Sequence, residues 1–540
     1  MNGHFEYIVV GSGACGAHAA QTLAEAKKNV AVLDVGNIDD VYHKIIPDND
    51  FEDIRKNDSL QHRYFLGDQY ESIPLEQLKA GAQLTPSRKH LMRDIEKYIP
   101  LLSDTFYPME SLAYGGLGAG WGLGCYVYSE KEIIKTGLDI NDIKKAYDLI
   151  SKRIGISCGK DDALPYTMAD TKNTLPPLKM DNAAELLYKR YLQKKDKFSK
   201  KHITIGNPSM ALLSEDYQNR KKSEYKDMDF YSDKGWSAYR AWMTIEEIKQ
   251  HHGFTYINNN LVLKFKEEKG NVIVESLNTI TQKTEYYTCN KLILACGPLG
   301  SARIVLRSFP EKIKRLPLLS SPYAYIPCIF TPMMGKPLDR FKSSMAQLSL
   351  FYDINGANED IVYTGLFTYK SLMLYKLIKE APIDFADGRI IMQYLQSMFI
   401  IAGVFHPDEL SENKYLELHK SDTAATGDKL FAHYRLSDQE KKKVKQNERA
   451  VKSALRKLGC YPAMRLDPGH GSSIHYAGTL PFSDNKEEYG RTAKDGKLNG
   501  TENVFIADGS SFRYLPGKGI TLTIMAHAHN VAMNAIKSEG

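Results

Sequence analysis

No apolar run in the 540-residue sequence approaches the ~18 residues of a membrane-spanning helix, which excludes that class of protein. Neither sign of charge dominates. The 71 Lys and Arg against 65 Asp and Glu leave +6, too even a balance to imply a nucleic-acid partner. Two locally basic runs, Lys194 to Lys201 and Lys441 to Lys445, read as solvated faces and loops. The second follows Ser437-Asp-Gln-Glu440, a capping-box start, and Val444, Val451, Leu455 and Leu458 then recur on one helical face until Gly459. Cysteine is scarce and unpatterned: seven residues, an odd number, with no C-x-x-C pair. Neither a disulfide framework nor a metal site follows, and reduced thiols in a cytoplasmic protein are expected. The first strand begins at Phe5, leaving no room for a signal peptide. Internal repeats and low-complexity linkers are also missing. What remains, 43% hydrophobic and 25% charged, is the composition of a globular protein with two to four domains, or two interleaved ones. Ser371 to Ile378 and Ile390 to Ile401 are rich in Met and large apolar residues. They read as substrate-domain core or a pocket wall, with peripheral membrane contact as the lesser alternative.

The chain's clearest positive signal is at its start. The apolar strand around Phe5–Val10 runs into Gly11, Gly13 and Gly16, then a small-residue helix, then Val30–Leu33 ending in Asp34. This is the βαβ arrangement that binds an adenine dinucleotide. Gly11 permits the tight turn, Gly13 lets the backbone approach a pyrophosphate at a helix start, and Gly16 allows helix and strand to pack closely. Asp34 stands 18 residues beyond Gly16, near the roughly 20 expected of an acid that binds the adenosine ribose. FAD and NAD both fit this motif.

Residues 37 to 110 read as polar loops and short helices, Lys79 to Arg88 among them. Between Gly115 and Gly124, six of ten residues are glycine. Such density is of little use in a regular helix or strand, so the backbone is expected to pass close to something bulky, with Trp121 embedded in it. A hairpin follows at Leu261–Phe265, Gly270–Glu275 and Glu285–Thr288. It leads to a separate buried strand, Lys291–Ala295, which turns at Gly297 into a helix. From about Tyr323 to Arg435, alternating runs predict a mostly antiparallel sheet. Asn503–Asp508 is another strand ending in a carboxylate, and Ile520 onward is a helix. Both ends of the chain thus look nucleotide-binding, and the expected fold is α/β (α+β), with a Rossmann-like domain interleaved with a substrate domain. Residues 1–36, 104–140, 226–320 and 465–540 are assigned to the first; 37–103, 141–225 and 321–464 are assigned to the second and to connecting segments.

Together these segments resemble the glucose-methanol-choline (GMC) family of FAD-dependent alcohol oxidoreductases. The likeness rests on the Gly11/Gly13/Gly16 unit with Asp34, where Glu is commoner, and on Gly115–Gly122, where Gly118 stands in place of a common Ser. It also rests on Leu294–Arg303, and on His475-Tyr-Ala-Gly478-Thr479, Asp508-Gly-Ser and Thr521–Ala526. The resemblance implies FAD as cofactor. It implies contacts to FAD from Gly11, Gly13, Ala14, Gly16 and Asp34, from Gly115, Gly116, Gly120 and Trp121, and from Val262, Ala295, Gly297, Asp508, Gly509 and Thr521.

An alcohol-oxidising flavoenzyme needs a base to remove the hydroxyl proton while hydride leaves the carbon. The resemblance places that role on His475, with His470 the nearest rival. A second polar residue, usual just before the last helix, is missing: Gly519 and Ile520 fall at its two positions. Tyr514 or Lys518 is a candidate substitute. The leading expectation is oxidation of a hydroxyl on a polar, carbohydrate-like or glycan-like substrate, with an unknown electron acceptor. The sugar character is suggested by the aromatic and polar content around Tyr363 to Tyr375. Because of Gly519, a flavin-binding protein with altered or redox-silent chemistry is the alternative; an NAD-dependent dehydrogenase is a third reading.

Overall fold

The computed structural model describes residues 3–70, 84–226, 233–337, 339, 345–368 and 383–539. The Ser371–Ile378 segment, Lys79–Gln83 and Tyr375 lie outside the described residues. The fold is mixed α/β and organised around two large sheets.

One sheet is built from both ends of the chain. His4–Val10 lies between Val30–Leu33 and Thr284–Leu294, all parallel, with Phe254–Ile257 outside Val30–Leu33. Val504–Ile506 adds in parallel on the far side of Thr284–Leu294. Register aligns Val10 with Leu33 and Leu294, and Leu294 with Ile506. The strands therefore end together, at the edge where open parallel sheets bind ligands. Asn260–Glu268 and Asn271–Asn278 form the hairpin read from the sequence. Its third strand differs from the expectation: Glu285–Thr288 and Lys291–Leu294 are one continuous strand, Thr284–Leu294. No Gly or Pro interrupts it, so its first half pairs antiparallel with Asn271–Asn278 and its second half parallel with His4–Val10.

Helices Ala14–Glu25 and Thr521–Lys537 cover one face. Ala17, Ala20 and Ala24 meet Ala528, Ala532 and Ala535 there, over Tyr7, Val9 and Phe505. Small side chains at the crossing let the first and last helices of the chain pack as neighbours. Helix Gly297–Ser308 packs on the opposite face through Leu299, Ala302 and Val305.

The second sheet is antiparallel throughout, in the order Cys460–Pro462, Tyr323–Phe330, Phe399–Phe405, Ile361–Thr368, Leu348–Asp353, Ile203–Gly206. Its back face (Ile326, Cys328, Ile400, Val404, Leu350) packs on helices Asn182–Leu192 and Asp438–Lys457. The latter helix begins as its sequence indicates: Ser437 Oγ accepts from Glu440 N at 3.2 Å, and Glu440 Oε2 accepts from Ser437 N at 2.7 Å. Val451, Leu455 and Leu458 are buried beneath it. The front face carries Tyr323, Phe351, Tyr363 and Phe405. All seven cysteines are free thiols. No helix among the described residues is long and apolar enough to cross a membrane.

Candidate active site

The site is assembled at the carboxyl edge of the parallel strands. Gly11 takes φ +95°, and a Cβ there would stand 3.1 Å from Cys296 Cα and 3.2 Å from Ala295 O. At Gly16 a Cβ would lie 1.9 Å from Gly11 O, so only glycine allows the helix to start this close to the strand. Gly13 is different. Its backbone is ordinary (φ −63°, ψ −176°), and the nearest atoms to a Cβ would be Gly115 O at 3.8 Å and Gly116 Cα at 3.9 Å. Nothing in the protein requires glycine there, and the space it leaves lies beside Ala14 at the uncapped helix start. Helix Thr521–Lys537 also begins uncapped, since Ile520 at its cap offers no side-chain acceptor. Two helix starts with free amides suit the phosphates and ring carbonyls of a dinucleotide.

Asp34 ends its strand as expected. Its Oδ2 accepts from Ser12 Oγ and from Tyr256 OH, the latter at 2.9 Å, and Asn260 N donates to its carbonyl at 2.9 Å. Oδ1 carries neither of these two bonds, and the backbone N–H groups of Val35 and Ser12 also favour the ionised carboxylate. Burial pushes the carboxyl up to about 6, against the lowering effect of those two hydroxyls. Since the ordinary aspartate value is 3.8, the apo fold gains a proton as pH falls below about 6. The contribution of this one group to stability is therefore fully present below about 3.8 and is lost as pH rises through about 6. Ribose hydroxyls favour the ionised carboxylate, so FAD affinity should rise with pH by up to ~10-fold per unit below 6 and level off above it. Titration of apoprotein with FAD from pH 5 to 8 measures this, and the slope should vanish in Asp34→Asn. In Asp34→Ala the loss should be roughly 10- to 150-fold in affinity at pH 8, the worth of charge-assisted hydrogen bonds.

The glycine-rich stretch crosses the first turn of the first helix. Gly115 and Gly116 take φ +88° and +53°, and Gly115 N donates to Ser12 Oγ at 2.8 Å. Added Cβ atoms would meet Trp242 N at 3.0 Å from Gly115, Gly13 Cα at 3.2 Å from Gly116, Ala241 Cβ at 2.8 Å from Gly118 and Leu91 Cδ1 at 2.3 Å from Gly120. The bulk that the glycines accommodate is thus largely the protein itself, and Ala241 fills the space beside Gly118. The Trp121 indole donates to Tyr239 O at 2.9 Å, which fixes it to the scaffold. Val262 is buried in the sheet core, so any cofactor contact from it comes from its main chain. Ala295 N donates to Val10 O at 3.1 Å, and Gly297 opens its helix at φ +80° with no atom within 4 Å of a Cβ. Asp508 is fully buried and accepts from Ser510 N at 2.9 Å and Ser301 Oγ at 2.7 Å. Its carboxylate ties the Gly297 helix to the Gly509 turn.

That turn is joined to His475: Gly478 N donates to Gly509 O at 2.9 Å, and a Cβ on Gly509 would sit 3.3 Å from both Tyr476 O and Ile520 Cδ1. Just before the histidine, Ile474 holds φ +61°, a costly conformation for a β-branched residue. The imidazole stacks on Phe405, with ring centres 5.0 Å apart, and its buried Nδ1 has no hydrogen-bond partner. Burial lowers its pKa to about 4, so it is neutral at physiological pH. Phe405 lies against Tyr323 at 4.3 Å and Tyr363 at 5.6 Å, forming an aromatic wall beside the imidazole. His470 packs instead on Tyr434, with ring centres 4.8 Å apart.

Tyr514 and Lys518 do not take the place of the missing polar residue. Lys518 is buried with its ammonium 2.8 Å from Glu132 Oε2 and donating to Val127 O at 2.7 Å. Tyr514 donates to Asp360 Oδ1 at 2.9 Å, beneath the Lys135 ammonium. Each is spent on a structural partner, and among the described residues no hydrogen bond or ring contact joins either to His475. The space above Gly519 is filled by Tyr126: a Cβ there would meet Tyr126 Cδ2 at 3.3 Å and Gly124 O at 3.4 Å. Tyr126 OH is bonded in turn to Tyr363 OH at 2.7 Å and Ser349 Oγ at 3.0 Å. Replacing Lys518 by Met should cost about 3–5 kcal/mol, because it strands a buried carboxylate. Urea unfolding of the apoprotein reads that loss, and Glu132→Gln added to Lys518→Met should recover part of it.

The Gly11–Gly16 turn and the half-buried imidazole with its unpaired Nδ1 are tied to one sheet edge through Gly478, Gly509 and Asp508. Residues 418–528 match the family model described as GMC oxidoreductase. Among solved structures, the chain resembles pyridoxine 4-oxidase from Mesorbium loti, with a TM-score of 0.58 and 11% identity over 98% of both chains. No curated protein matches the sequence. The C-terminal segment is thus similar to GMC oxidoreductases, and the whole chain shares the fold of that solved oxidase.

Proposed function

We propose that this chain binds FAD across the Gly13 cradle and Asp34 and oxidises a hydroxyl group of a polar, carbohydrate-like substrate, with His475 as the base. The reading is carried by the imidazole: neutral, with one buried nitrogen unpaired, and joined through Gly478 and Gly509 to the cofactor edge of the sheet. The residues present fit FAD, since Gly13 leaves room that no protein atom fills and two helices begin uncapped beside it. The chemistry a bound flavin supplies is acceptance of the substrate's carbon-bound hydride. The chain's part is to hold the carbinol against His475 and to take its proton there. The stacked Phe405 fixes the ring plane, and Tyr323 offers an aromatic face on which a sugar ring can lie. Purified holoprotein should be yellow, and its flavin should bleach anaerobically with the true substrate in a panel of sugars and simpler alcohols. Bleaching only by non-sugar alcohols would remove the carbohydrate part.

The tyrosine over Gly519 favours a second reading, flavin binding with altered or redox-silent chemistry, because its ring edge faces that position while its hydroxyl is bonded to Tyr363 and Ser349. Failure of every alcohol to bleach a stoichiometrically loaded flavin would select that reading.

A further inference from the structure

The antiparallel sheet ends in a corner whose surface chemistry the reaction does not use. Three segments meet there: Arg190 Nε donates to Leu458 O at 2.6 Å, Lys194 Nζ donates to Lys457 O, and Thr331 N donates to Gly459 O at 3.3 Å. On this corner large apolar side chains stand in water: Met334 is 66% exposed, Met464 64%, Tyr461 51% and Leu192 48%. Beside them lie the exposed lysines Lys197, Lys200, Lys201 and Lys457. Lys195 is balanced by Asp162 at 2.7 Å, and Asp196 is the acid within the run. The other lysines crowd one another: the ammonium groups of Lys201 and Lys197 lower the pKa of Lys457. Such crowding costs the folded state through self-repulsion, and an anionic surface would relieve it.

We propose that this corner docks on an anionic lipid surface, the lysines meeting headgroups while Met334, Met464, Tyr461 and Leu192 enter the headgroup boundary. Exposed apolar groups with a basic rim are the two signals that together hold a protein on a membrane without spanning it. An acidic protein partner would satisfy the charge, but it gives less reason for two methionines, a leucine and a tyrosine to be exposed together. Register adds a geometric consequence. Tyr461 lies opposite Ile329, on the same sheet face as Tyr323 and Tyr325. Leu192 and Lys457 end helices that pack behind the sheet, so Tyr461 alone links the corner to the face that carries Phe405, about 20 Å away at ~3.3 Å per residue.

The test uses the intact holoprotein and does not depend on its reaction. It is sedimentation with vesicles of phosphatidylcholine alone and of phosphatidylcholine with 30% phosphatidylglycerol. Binding should appear only with the anionic vesicles and be released by 0.5 M salt. Lys197→Glu/Lys201→Glu/Lys457→Glu should weaken it ~100-fold or more, at about fivefold per lysine. Met334→Asp/Met464→Asp should weaken it roughly tenfold through lost apolar insertion. Both variants should keep the parent melting temperature and flavin content. Lys269→Glu/Lys283→Glu/Lys314→Glu, on exposed lysines elsewhere, serves as the control. The proposal is overturned if folded parent protein ignores anionic vesicles, if neutral vesicles bind it equally, or if the control weakens binding as much as the corner variant. Concentration-dependent self-association abolished by the methionine double variant, without vesicle binding, would reassign the corner to a contact between copies.

Discussion

His475→Ala should leave the flavin bound and its absorbance normal while slowing anaerobic flavin reduction by the true substrate about 100-fold or more, the usual worth of a positioned base. The side chain can be removed without wrecking the fold, because its ring makes a stacking contact with Phe405 and Nδ1 is bonded to nothing. His470→Ala should slow reduction severalfold at most, since that ring packs on Tyr434 instead. The pH profile supplies a second readout. Only the neutral imidazole can take a proton, and burial holds its pKa at about 4. The rate of reduction should therefore stay level down through pH 5.5 and fall only as pH drops through about 4, not through the ordinary histidine value near 6.5. Stopped-flow reduction of parent and variants between pH 5 and 8 decides the matter. Unchanged reduction in His475→Ala would mean that the histidine keeps a structural place and has no chemical one.

The parts of the site legible in the sequence are those fixed by short-range geometry. Gly11, Gly13, Gly16 and Asp34 belong to one strand-turn-helix-strand unit, so their spacing alone dictates that they meet. The capping box at Ser437 and the alternation from Tyr323 onward are local in the same sense. Contacts between distant segments were not legible. Tyr256 reaches Asp34 across 222 residues and Ser301 reaches Asp508 across 207, and neither carries a motif of its own. Lys518 and Tyr514 stand near Gly519 in sequence, but nothing in their vicinity announces that Glu132 and Asp360 will claim them. Tyr126 is the sharpest case. It packs over Gly519, yet it lies in an ordinary polar-aromatic stretch, and only the folded chain brings the two together. The continuous strand Thr284–Leu294 was obscured for a related reason: its two halves have different partners, so its burial pattern changes midway.

Gly13→Val should fold and melt within a few degrees of the parent yet emerge without flavin. The backbone at Gly13 is one that any residue adopts, and an added Cβ would find protein atoms no nearer than 3.8 Å. The cost to the apoprotein is that of an apolar residue at a helix cap, about 1 kcal/mol. The cost to binding is of another kind, because the branched side chain fills the space through which a pyrophosphate reaches the amides at the start of helix Ala14–Glu25. Flavin content, measured by absorbance after gentle purification, should fall from one per chain to less than a tenth, with no recovery in excess FAD. Gly16→Ala makes the opposite case. Its Cβ would overlap Gly11 O at 1.9 Å, so that variant should fail to fold at all, with or without cofactor. The pair separates a glycine that the ligand needs from one that the fold needs. Stoichiometric flavin in a folded Gly13→Val protein would show that the dinucleotide does not pass over this turn, and the cofactor assignment built on it would fall.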